Sequence, residues 1–234
     1  MKRFYKTVTA EAAGEGGAVV RLDGRLLKTP AKVEMRLPSL SLAEAIAAEW
    51  QAQQTEIRPQ TMPLMQLAAT ALDRVANDPG FTSTEIVRYG DTDLLSYRAD
   101  EPAALAERQA AEWQPLLDWF RDRYDVQLNV TAGIIAVAQP AELRPRLQRI
   151  CAGLDPYALT ALHGATTTTG SVVLGLALLD GRLDAETAHQ AALVDELYQA
   201  ARWGEDAEAA ARRAGLLSDL RAIARFLALL RAGN

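Results

Sequence analysis

The sequence predicts an α+β fold: a small β-rich N-terminal domain, residues 1–40, followed by a larger, mostly α-helical domain, residues 41–234. Three observations carry this. The first forty residues alternate apolar and polar side chains at strand period. Beyond Ser39 the apolar residues recur three and four apart, the period of a helix with one buried face. Alanine and leucine are abundant while aromatics make up 6% of the 234 residues, a composition suited to helix packing. The chain is long enough to bury a sizeable core, and its 49% hydrophobic and 24% charged content is that of an ordinary globular protein.

The elements follow in order. The stretch RFYKTVTAE is rich in β-branched and aromatic residues and reads as a strand. The GEGG run at 14–17 is a loop, and AVVRL a second strand. Asp23-Gly24 then gives a strong hairpin signal, with RLLKT returning as a third strand. After Pro30, KVEMRL places Val33, Met35 and Leu37 on one face. Ser39 or Ser41 caps a helix through AEAIAAEWQAQ, where Leu42, Ile46 and Trp50 form an apolar stripe. Pro63 opens a second helix, PLMQLAATALDRVAN. Thr82 or Ser83 caps a short one ending near Tyr89-Gly90. A long helix runs from Glu101 to Tyr124, with a kink or restart expected at Pro115. QLNVTAGI is extended, and Pro140 opens the next helix. Asp155-Pro156 starts another, closed near His163-Gly164, and the threonines at 166–169 read as a capping loop. SVVLGLALLDG is a buried helix.

Asp184 caps a helix that includes HQAALVDELYQAARW, 189–203, with Leu193, Leu197, Ala200 and Ala201 available to a core. Glu196 and Trp203 are two turns apart and share a face. Gly204 suits the left-handed position that ends a helix, and Glu205 and Asp206 follow where the next helix begins. In that last helix Leu216, Leu220, Ile223, Leu227 and Leu230 form a stripe for a core or a partner. By pattern alone a packed Trp203 with a solvated acidic rim is the favoured reading, because helical aromatics are mostly core. An aromatic anchor beside carboxylates is also equipment for holding another protein.

Composition and motifs exclude several functions. The net charge of −5 and the absence of a basic face argue against nucleic acid. The longest apolar run, of about nine residues, is far short of the ~20 that span a bilayer, so no membrane insertion is expected. The single cysteine, Cys151, forms no intramolecular disulfide, and with His163 and His189 far apart the zinc frameworks are missing, so neither metal nor cofactor is expected. No catalytic constellation assembles. A Cys151–His163 dyad lacks any local signature, and Asp91 and Asp93 read as caps. Trp50 and Trp113 read as core.

Several segments together resemble a known family. LDGRLLKTP at 22–30, AEWQAQQTEIRPQTMPLMQLAATALD at 48–73 and YGDTDLLSYRAD at 89–100 are followed by RQAAEWQPLLDW at 108–119, SVVLGLAL at 171–178 and DELYQAARWGEDAE at 195–208. In that order they resemble the assembly chaperone of F-type ATP synthase that handles the alpha subunit, a family found in mitochondria and some bacteria. The resemblance implies a non-enzymatic protein, expected to be a monomer, that binds the free alpha subunit and prevents its aggregation until beta subunits displace it. Carried onto this sequence, it makes Glu196, Trp203, Glu205 and Asp206 the candidate partner-binding residues, and Trp50 and Gly204 structural ones. The N-terminus shows no presequence pattern, so a bacterial cytoplasm is expected, or the mitochondrial matrix for a trimmed organellar form. A general holdase or adaptor with broad clients, or an enzyme with an unrecognised site, is the alternative.

Overall fold

The computed structural model describes residues 1–14, 17–133 and 135–232; half of the expected GEGG loop therefore lies outside the described residues. The fold is α+β, with a small N-terminal sheet region and a larger helical part. By compactness the chain divides into two units. One comprises Met1–Pro79, Asp155–Ala161 and the residues from Ala222 onward; the other comprises Gly80–Leu154 and Leu162–Arg221. This division differs from a cut at residue 40.

In the first unit, β1 (Val8–Ala12) and β2 (Ala18–Leu22) form an antiparallel hairpin with Val8 opposite Leu22 and Ala12 opposite Ala18. The short β3 (Arg25–Leu26) and β4 (Arg36–Leu37) both pair with β2. The Asp23-Gly24 turn has positive φ at both positions, 47° and 78°, the backbone twist that joins two strands through two residues. The Asp23 carboxylate accepts from the Thr7 and Lys6 amides at 2.8 and 3.0 Å, and these bonds lower its pKa. Of the alternating KVEMRL face, Met35 and Leu37 are buried but Val33 is 40% exposed.

The sheet packs on α1 (Leu40–Gln51), capped by the Ser39 hydroxyl, which accepts from the Leu42 amide at 3.1 Å. Leu42, Ile46 and Trp50 are buried there as the stripe predicts. Glu49 is turned to another use. Its two oxygens accept from the amides of Leu64 and Met65 at 2.9 and 2.8 Å, at the start of α2 (Pro63–Thr70), whose own N-cap, Met62, offers no side-chain acceptor. The predicted second helix does not stay α-helical: Ala71–Val75 forms a π-helical segment. The first unit runs to Pro79: α1 packs on the sheet and α2 packs on α1.

The second unit begins with α3 (Pro79–Asp91), which starts earlier than the predicted cap; Thr82 is a buried helical residue. A 3-10 turn, Leu94–Ser96, leads into β5 (Tyr97–Arg98). The long α4 (Ala103–Tyr124) is a single helix through Pro115, so no restart occurs there. β6 (Thr131–Ala132) pairs parallel with β5, and α5 (Leu143–Ala152) begins three residues after Pro140.

The threonine run is helical, not a loop. α6 (Pro156–Thr169) continues past His163-Gly164 to Thr169. Its hydroxyls bond back along the helix, Thr167 to the His163 carbonyl at 2.9 Å and Thr169 to that of Ala165 at 2.8 Å, so these polar groups find acceptors without leaving the helix. Thr166 is buried against Gly175 of α7 (Val172–Leu179), where a Cβ would come within 2.5 Å of its hydroxyl oxygen. Glycine at 175 lets the two helices approach.

The predicted continuous helix from 189 to 203 is broken. α8 (Ala185–Ala192), capped by Asp184, ends at Leu193, which leaves the helical region at φ −119°, ψ 22°; α9 (Val194–Trp203) restarts there. Finally α10 spans Ala207–Arg231. Of its leucine stripe, Leu220, Ile223 and Leu227 are buried together with Phe226, while Leu216 and Leu230 are half-buried.

Candidate functional site

The α9–α10 junction is anchored at one end and free at the other. At the base of α9, Val194 is fully buried, and Asp195 accepts from the Gln109 side-chain amide of α4 at 2.6 Å. Nearby the Trp113 indole donates to the Ala191 carbonyl at 2.7 Å, with the Arg98 guanidinium stacked 5.1 Å from its ring centroid. At its far end α9 closes on Trp203, whose side chain stands in solvent: it is 76% exposed, and residues 201–208 are all exposed. This overturns the packed reading that helical pattern favours. Ala201 is likewise exposed rather than in a core, and Leu197 is only half-buried, as is Ala200. Periodicity marks a face, but it does not say how far along that face a neighbour extends.

Gly204 follows at φ 94°, ψ 165°, outside the left-handed helical well and in a region open essentially to glycine alone. A Cβ there would meet nothing within 4 Å, so conformation, not space, favours glycine. Asp206 then caps α10, its carboxylate accepting from the Ala209 amide at 2.8 Å.

The acidic residues are not bare. Glu196 pairs with Arg212 and lies 3.9 Å from Arg213; Glu205 pairs with Arg213 at 2.5 Å. Arg213 is 6% exposed, and its carbonyl lies 2.9 Å from the His189 ring. Sequence reasoning missed these two arginines. They stand next to each other near the start of α10, and the signal was charge balance: adjacent arginines facing a preceding acidic helix end. Glu196, Glu205 and Asp206 thus fix the turn between α9 and α10, and the same turn holds Trp203 out.

The other candidates resolve into structure. Trp50 is only 7% exposed, edge-on to the Tyr5 ring at 5.4 Å, and Tyr5 donates to the Trp50 carbonyl at 2.7 Å. Cys151 is buried and its thiol pushed up to about 11 by that burial, a poor nucleophile. Asp91 forms a two-pronged pair with Arg144. Asp93 is fully buried. It accepts from the Leu95 amide at 3.0 Å, the Ser171 hydroxyl at 2.8 Å and the Val173 amide at 3.2 Å, stapling the 3-10 turn to the start of α7. Burial outweighs these bonds and raises its pKa to about 6. Among the described residues no cluster of three or more His, Cys, Asp or Glu could hold a metal ion, and no helix is long and apolar enough to cross a membrane.

Comparison with known proteins supplies the assignment that geometry alone does not. The family described as ATP12 chaperone protein matches residues 2–121. The mitochondrial protein atp12 of Schizosaccharomyces pombe is 31% identical over 220 residues, 88% of this chain and 75% of that protein. The chain belongs to the ATP12 chaperone family. Among solved structures, Atp12 from Paracoccus denitrificans is 46% identical with a TM-score of 0.93, covering 98% of both chains. A protein from Agrobacterium tumefaciens is 41% identical with a TM-score of 0.92, covering 98% of this chain and 86% of that one. The family model ends at residue 121, before α9, but the match to the Paracoccus ATP12 structure covers nearly the whole chain. The relatives divide between mitochondria and bacteria.

Proposed function

We propose that this ATP12-family chain binds the unassembled alpha subunit of F-type ATP synthase and holds it soluble until beta subunits displace it, with the end of α9 and the start of α10 as the contact. It acts as a binding protein, not an enzyme. The observation that supports this is Trp203, a tryptophan 76% exposed at the tip of a helix whose base is anchored. A large, stiff, amphipathic side chain held in water contributes little to its own fold, and such residues concentrate at binding hot spots. An alpha subunit without its beta neighbours presents apolar interface that would otherwise self-associate. The Glu205–Arg213 pair, with Arg213 buried, gives the junction a fixed shape, and the more exposed Glu196–Arg212 pair exchanges partners at low cost, which suits a client that must later leave.

The test is light scattering by refolding alpha subunit with the chain at equal concentration. The intact chain suppresses aggregation and Trp203→Ala does not, while both retain the same thermal midpoint. Suppression of unrelated denatured proteins to the same degree would instead favour the general holdase.

A further inference from the structure

The first unit contains a cavity of about 800 Å³, within the ~300–1,000 Å³ usual for binding pockets. Its wall is apolar and includes Phe4, Tyr5, Leu27, Trp50, Met62 and Met65. Three methionines, Met1, Met62 and Met65, give it a surface that can repack around different shapes. Phe4 stands at this cavity 64% exposed, edge-on to Tyr5 at 5.4 Å. The charged residues lining it are Asp23, Arg25 and Lys28. Asp23 is occupied by the amides of Lys6 and Thr7. Arg25 and Lys28 are both exposed and form no ion pair among the described residues. The cavity is therefore apolar inside and bordered by unneutralised cations.

We infer that this cavity docks a short apolar segment of the client polypeptide that carries an acidic residue beside it. The inference rests on the chaperone reading, but not on alpha being the client. Charge complementarity with Arg25 and Lys28 selects an anionic flank. A hydrocarbon acid would also offer an apolar body and a negative head; membership of a chaperone family, whose clients are polypeptides, favours the polypeptide. Trp203 does not line the cavity, which grips one apolar stretch of an unfolded or unassembled chain.

The test is fluorescence anisotropy with the full chain and a labelled peptide, Gly-Glu-Leu-Phe-Leu-Val-Gly amide, against the same peptide with Lys in place of Glu, and with dodecanoate as competitor. The acidic peptide binds at least tenfold tighter than its Lys counterpart. The double variant Arg25→Glu/Lys28→Glu, at exposed positions outside any described ion pair, reverses that preference, and dodecanoate does not compete. Trp203→Ala leaves peptide affinity unchanged, so the pocket and the α9–α10 contact succeed or fail separately. Absence of peptide binding, affinity indifferent to the charge reversal, displacement by dodecanoate, or loss of peptide binding in Trp203→Ala would each overturn the assignment.

Discussion

Trp50 and Trp203 are the same residue type in the same kind of helical pattern, and their environments are opposite. Trp50 is buried against the Tyr5 ring, so Trp50→Arg forces an unpaired charge into that space and costs roughly 3–5 kcal/mol. Urea denaturation should show the variant largely unfolded at its production temperature; a fully folded variant would contradict the burial. Trp203→Ala removes a side chain that contacts mainly water, so stability stays within ~0.5 kcal/mol while affinity for the alpha subunit drops about 30-fold, the loss of a ~2 kcal/mol hot spot. Titration calorimetry beside thermal melting separates the two effects. The burial of Trp50 was legible because its neighbours Leu42 and Ile46 complete a stripe facing a predicted sheet. The exposure of Trp203 was not, because it depends on where α4 and the α8 segment stop, which no local pattern encodes.

Elements here are joined by side chains from distant parts of the chain, and those joints make the next predictions. Asp93 ties the Leu94–Ser96 turn to α7 and titrates near pH 6, above its ordinary 3.8. Between these values the folded state holds a proton that the unfolded state has released, so this residue's contribution to stability falls as pH rises from ~4 to ~6. The stability difference between the protein and Asp93→Asn should shift by about 3 kcal/mol across that window, read from urea midpoints at pH 4 and 7, and be flat above pH 7. At the α9–α10 joint, Glu196→Arg breaks the pair with Arg212, and adding Arg212→Glu restores it in reverse. On the proposed contact, in which the carboxylate at 196 meets the client, pull-down of the alpha subunit should remain weak in both; recovery in the double variant would make Glu196 a positioning residue only. The break at Leu193 and the helical threonine run escaped the sequence for a shared reason. Apolar period continues smoothly across Leu193, and threonine reads as a helix ender unless its hydroxyls can bond back to the preceding turn, as those of Thr167 and Thr169 do.

At the scale of the molecule, the α+β class, the N-terminal hairpin and the buried α7 were readable from period and turn chemistry alone, since each is a local consequence of its own residues. The composition of the first unit was not. It takes in α1 and α2 and reclaims two later stretches, a long-range grouping set by which apolar faces find each other. The candidate site was legible as a list, Glu196, Trp203, Glu205 and Asp206, but not as a network, because Arg212 and Arg213 enter only through the turn at Gly204. The proposed role of the whole molecule is to hold one partner, the unassembled alpha subunit. Its most direct test is co-expression with the alpha subunit of the same host's ATP synthase, with beta as control, followed by size-exclusion chromatography. A soluble complex with alpha and none with beta is the expected result. Insoluble alpha with nothing co-eluting would contradict it.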